Sequence, residues 1–195
     1  DNVVEVVTLM KDGKPSTDGT ATLTAPGVGK KPNTGYKAGS WNTTIPETID
    51  KNAANLVFTY TYVKDDTQTK SLKYTVEYYK DGELQGDDTA TVTEEVWINS
   101  NQTTLTVKKA DINTTDKYGA KFALDYTDPA TIPNTIENGG TIKVYYAADD
   151  NEDDIPDKYQ KTVTYKVVNG SWNDGERDNV VEVVTLMKDG KPSTD

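Results

Sequence analysis

Apolar and polar positions alternate with a period of two along four stretches of the chain. They are Val57-Phe58-Thr59-Tyr60-Thr61-Tyr62-Val63, Leu72-Lys73-Tyr74-Thr75-Val76-Glu77-Tyr78, Thr141-Ile142-Lys143-Val144-Tyr145-Tyr146 and Thr162-Val163-Thr164-Tyr165-Lys166-Val167. That spacing puts successive side chains on opposite faces of a strand, one half-buried and the other wet. Between the stretches stand Asp12-Gly13, Asp81-Gly82, Asn169-Gly170 and Asp174-Gly175, dipeptides that tolerate the positive φ of tight hairpins. Only residues 106–113, around Val107-Lys108-Lys109-Ala110-Asp111-Ile112, suggest a helical turn or two. Thr (30 residues) and Tyr (12) suit pleated surfaces, whereas Phe occurs twice. The pattern predicts a mostly β protein built from small modules.

The chain also repeats itself. Residues 1–18, DNVVEVVTLMKDGKPSTD, recur unchanged as residues 178–195, an offset of 178 − 1 = 177. Identity over that length points to a recent duplication and a tandem array whose unit is 177 residues long. On this reading the chain starts in mid-domain. Residues 1–64 form a module lacking its own first strand, 65–148 an intact module, 149–157 an acidic linker, and 158–195 the first strands of the next repeat. A module without its first strand leaves a sheet edge open. The duplicated tail is then expected to dock on its own chain or to complete a neighbouring copy head to tail, by strand complementation.

Charge and missing residue types narrow the function. The chain has no His and no Cys. That excludes a Ser–His–Asp triad, a thiol nucleophile, a Cys/His zinc site and a disulfide. A formal net charge of −11 without a basic tract argues against nucleic acid and anionic membrane surfaces as partners. No apolar run approaches the roughly 20 residues of a membrane span. Adjacent Glu94-Glu95 point to opposite faces of a strand and so make no acid–base pair. No enzymatic activity is expected.

Placed in repeat order, residues 158–177 precede residues 1–64. This domain opens with Thr162-Val163-Thr164-Tyr165 and Asn169-Gly170-Ser171-Trp172, passes through Gly35-Tyr36-Lys37-Ala38-Gly39-Ser40-Trp41 and closes on Phe58-Thr59-Tyr60-Thr61-Tyr62. It resembles the Listeria–Bacteroides repeats of bacterial surface proteins. The middle module runs from Lys73-Tyr74-Thr75-Val76-Glu77-Tyr78-Tyr79-Lys80-Asp81-Gly82 to Ile142-Lys143-Val144-Tyr145-Tyr146 and is similar to the mucin-binding-protein (MucBP) repeats. The resemblance implies two small β-grasp (ubiquitin-like) modules in tandem, the first split by the chain ends. It further implies an extracellular location, on a wall-anchored surface protein of a Gram-positive bacterium. Two roles follow: a stalk or spacer repeat whose partners are neighbouring repeats or copies of the chain, or an adhesive module that holds host glycans or mucin.

Two groups of residues are candidates for binding. In the acidic segment, Asp149, Asn151, Asp153 and Asp157 match positions 1, 3, 5 and 9 of a calcium loop. Asp154 stands where such a loop has its Gly, and Gln160 where it has a bidentate Glu. Calcium is the one cofactor this pattern suggests; the other reading is a solvated, self-repelling linker. Trp41, Trp97 and Trp172 offer flat faces for stacking on glycans, or else plug the ends of small cores.

Overall fold

A computed structural model describes residues 2–195, and the fold is mostly β. Among the described residues the only helical elements are three single 3-10 turns. The chain divides into two compact units. The first runs to Lys70 and takes in Val96–Asn101; the second holds Ser71–Glu95 and Gln102–Asp195.

The first unit contains short antiparallel pairs. Strands β1 (Met10–Lys11) and β2 (Lys14–Pro15) form a hairpin around Asp12 and Gly13, whose φ angles of 47° and 77° are those of the anticipated tight turn. Strand β3 (Ala21–Thr22) pairs with β5 (Thr48–Ile49), and β4 (Tyr36–Trp41) pairs with β6 (Tyr60–Lys64). A bulge separates Lys37 from Ser40 in β4. Gly39 lies there because a Cβ would stand 1.8 Å from the Thr61 carbonyl oxygen. Tyr62 pins the preceding loop, its hydroxyl accepting the N–H groups of Gly29 (3.0 Å) and Lys31 (3.3 Å). Trp97 joins this unit by an edge contact with Tyr36 and by donating its indole N–H to the Gly35 carbonyl at 3.0 Å.

The second unit is organised by a long strand. Strand β7 (Thr69–Lys80) turns through Asp81 (φ 48°) and Gly82 (φ 83°) into β8 (Glu83–Leu84), and β9 (Ala90–Trp97) also pairs with β7. Next come β10 (Thr104–Thr106), β11 (Phe122–Asp128), β12 (Thr135–Glu137) and β13 (Thr141–Ala148). The sheet order is β11–β13–β7–β8, with β13 antiparallel to β11 and parallel to β7 over six residue pairs, Thr141↔Thr75 to Tyr146↔Lys80. A separate antiparallel pair joins β10 to β12.

The inner face carries the alternation seen in the sequence: Leu72, Tyr74, Val76 and Tyr78 from β7, and Ile142, Val144 and Tyr146 from β13, are all buried. The helical expectation for residues 106–113 reduces to one 3-10 turn, Lys109–Asp111. Three core tyrosines explain why. Tyr74 and Tyr78 accept the N–H groups of Lys108 (3.0 Å) and Asn113 (3.1 Å), and Tyr146 donates to the Asn113 carbonyl (2.8 Å). Polar groups that a helix would satisfy internally are met by phenols reaching up from the sheet.

The tail forms two antiparallel pairs. Strand β14 (Gln160–Tyr165) pairs antiparallel with β15 (Val180–Thr185), and β16 (Met187–Lys188) pairs with β17 (Lys191–Pro192). Asn169-Gly170 and Asp174-Gly175 do not make two hairpins. They share one long connection, closed by hydrogen bonds from Trp172 N–H to Glu176 O and from Gly175 N–H to Trp172 O, each 2.8 Å.

Candidate functional site

The acidic segment winds into a compact turn around Asp149, which is fully buried. Its carboxylate accepts the N–H groups of Asp153 (3.2 Å) and Asp154 (2.8 Å), and its own N–H donates to the Lys121 carbonyl (2.8 Å). Asp157 accepts the Asp150 N–H at 2.8 Å, and Asp153 accepts the Ile155 N–H at 3.1 Å. The Asp153 carboxylate also takes hydrogen bonds from the side-chain amides of Gln160 (2.7 Å) and Asn151 (3.2 Å). Donation from Gln160, chiefly, holds the Asp153 carboxyl below its ordinary pKa. Asp154 adopts φ 66°, so the left-handed position that a calcium loop gives to Gly is filled by Asp.

Of the four candidate ligands, the structure thus brings Asp149, Asn151 and Asp153 into one hydrogen-bonded turn, which Asp157 closes through Asp150. The carboxylates of Asp149, Asp153 and Asp157 already accept four backbone N–H groups, those of Asp150, Asp153, Asp154 and Ile155. Among the described residues, no group of three or more acidic side chains is arranged to hold a metal ion. Segment 149–157 is a folded joint, with Asp149 as the hub for its N–H groups.

The joint is locked to the sheet by residues that sequence reasoning did not single out. Asp125, at the bulge of β11, has a side chain only 4% exposed and accepts from both Lys158 Nζ and the Tyr159 hydroxyl. Burial alone would lower the Lys158 pKa, but the Asp125 carboxylate outweighs it and raises the ammonium above its ordinary value. Burial, aided by Asp125, also pushes the Tyr159 phenol up. Lys121 braces the other flank, donating to the Asp150 carbonyl (2.8 Å) and pairing with Glu152 (3.1 Å). No sequence motif could have revealed Asp125, because it meets Lys158 and Tyr159 only through the fold.

The three tryptophans do not share one cluster. Trp41 ends strand β4 and meets Tyr60 edge-on at 5.5 Å. Trp97 packs on Tyr36, with Lys64 Nζ 4.9 Å from its ring centroid. Trp172 donates its indole N–H to the Asp178 carbonyl at 2.8 Å, inside its own connection. The extended aromatic surface lies elsewhere. Tyr79, Tyr145 and Tyr126 are cross-strand neighbours on β7, β13 and β11. Their rings stack in series, with centroids 4.6 Å and 4.3 Å apart and interplanar angles of 20° and 15°. Alternation sends one tyrosine of each adjacent pair inward, here the buried Tyr78 and Tyr146, and leaves Tyr79 and Tyr145 on the other face, where the register brings Tyr126 alongside.

Compared with known protein families, curated proteins and solved structures, the chain matches none of them.

Proposed function

We propose that the chain is a structural repeat of the stalk of a wall-anchored bacterial surface adhesin, a spacer whose role is mechanical and involves no catalysis. The observation that carries this reading is the unchanged 18-residue segment 177 positions apart, both copies of which build the same hairpin. Met10↔Pro15 and Lys11↔Lys14 in one correspond to Met187↔Pro192 and Lys188↔Lys191 in the other. The middle module is then a small β-grasp whose first and last strands, β7 and β13, lie side by side and parallel. The ordered joint supports the spacer role, because a short hydrogen-bonded turn passes position from one module to the next better than a flexible tether.

Small-angle scattering on chains of one, two and three 177-residue units tests it. A stalk lengthens by about the same increment per unit, roughly 60–80 Å for two modules of this size. Growth of the radius of gyration with only about the 0.38 power of length, as for a globule, would overturn it.

One observation favours a second reading, adhesion to glycans. In the stacked series Tyr145 lies between two rings, whereas Tyr79 and Tyr126 each have one stacked neighbour, and Tyr126 is 51% exposed. Flat apolar ring faces suit sugar rings. On this reading the full chain gives signal on a glycan array and Tyr126→Ala loses at least most of it; no signal above background leaves the spacer role alone.

A further inference from the structure

The dipeptide Asn-Gly occurs twice in the chain, as Asn138-Gly139 and as Asn169-Gly170. Such a pair is prone to react with itself, because glycine has no Cβ to hinder its own nitrogen from approaching the preceding side-chain amide. Both dipeptides lie exposed outside the strands. What separates them is how each is held.

Asn138-Gly139 makes the turn from β12 to β13, and both of its reacting groups are tied to the sheet. Asn138 Oδ1 accepts the Lys73 N–H at 2.9 Å, and the Gly139 N–H donates to the Lys73 carbonyl at 2.7 Å. The Asn138 N–H donates to the Thr103 carbonyl at 2.8 Å. Lys73 belongs to β7, so the Gly139 nitrogen and the Asn138 amide come free only when this turn parts from the central strand. That opening costs the hydrogen bonds it breaks.

Asn169-Gly170 lies beyond the end of β14, in the long connection to β15. The ties that close this connection begin one residue later. Arg177 Nε donates to Ser171 Oγ at 3.2 Å, and the Trp172 indole N–H donates to the Asp178 carbonyl at 2.8 Å. Among the described residues, neither the Asn169 side chain nor the Gly170 N–H has a hydrogen-bond partner within the chain. The preceding Val168 is 80% exposed, so solvent reaches the backbone here.

We infer that Asn169 is a site of spontaneous covalent modification, deamidation through a succinimide, and that the fold protects Asn138 from the same reaction. The Gly170 N–H gives up its proton to solvent hydroxide, and the nitrogen attacks Asn169 Cγ. The new N–Cγ bond forms as the Cγ–Nδ2 bond breaks, and Nδ2 leaves as ammonia after taking a proton from water. Water then opens the ring at either carbonyl, giving aspartate or isoaspartate. The sum is one water consumed and one ammonia released, with no redox change. The product carries one more negative charge, −11 − 1 = −12, in a connection that already holds Asp174, Glu176 and Asp178. Isoaspartate also adds a methylene to the main chain between β14 and the bend held by Trp172. The inference uses local geometry alone, so its failure would leave the stalk reading standing.

Peptide mapping by mass spectrometry tests it on the full chain, sampled during prolonged incubation in warm, mildly alkaline buffer. The mass change from amide to acid reports each site, whereas isomerisation at the Asp-Gly turns leaves mass unaltered. Asn169 should convert at least about tenfold faster than Asn138 in the folded chain, and the two rates should converge in guanidinium, where both dipeptides are released. Equal rates in the folded chain, or a faster Asn138, would overturn the inference. So would a difference that survives unfolding, because sequence neighbours rather than the fold would then set it. Gly170→Ala supplies a second arm. A Cβ at Gly170 meets nothing within 4 Å, and the residue lies outside the left-handed region, so the variant keeps its fold. Its Asn169 should convert at least about fivefold more slowly. Unchanged conversion would sink the succinimide route.

Discussion

At the scale of single residues, the acidic segment shows how charge becomes structure. Asp149 sits at the end of β13 with both carboxylate oxygens engaged by N–H groups four and five residues ahead. A buried polar side chain costs little where its oxygens are hydrogen-bonded, and each Asp149 oxygen accepts one N–H. Replacing Asp149 by Ala leaves the Asp153 and Asp154 N–H groups without their acceptor. Thermal or denaturant unfolding should record a loss of about 3 kcal/mol. Replacing the neighbouring exposed Asp150, which bonds through its backbone N–H and carbonyl, should cost less than about 0.5 kcal/mol. Equal losses at the two sites would show that Asp149 is not the hub.

At the scale of elements, the duplicated segment separates propensity from context. Residues 3–8 and 180–185 share every side chain, yet only the second copy has a strand to pair with. Amide exchange followed by NMR in dilute solution should find N–H groups within 180–185 exchanging at least about tenfold more slowly than their equivalents in 3–8. Matching rates would mean that β15 does not persist in solution. The same contrast explains what could be read from the chain. The strands at 72–78, 141–146 and 162–167 were legible because alternation is local, and Asp12-Gly13 and Asp81-Gly82 were legible because positive φ is a property of the dipeptide. The 3-10 turn at Lys109–Asp111 was not, since it depends on hydroxyls from Tyr74, Tyr78 and Tyr146, over 30 residues away. The spacing of the acidic segment reads as a calcium loop or a solvated linker, and the folded turn was not legible, because it rests on which N–H groups the carboxylates of Asp149, Asp153 and Asp157 meet and on Gln160 and Lys121 arriving from outside the segment.

At the scale of the whole molecule, the response to pulling depends on where the chain enters and leaves a sheet. The chain enters the middle module through β7 and leaves it through β13, and these two strands are parallel neighbours over six residue pairs. Tension applied along the chain therefore pulls β7 backward and β13 forward against each other. Every hydrogen bond between them is strained at once, in shear, instead of being opened one after another from an end. Forced unfolding is governed by the rate of crossing that barrier rather than by equilibrium stability, so a thermally modest module arranged this way resists rupture. Pulled from its two ends, such a module acts as a mechanical clamp.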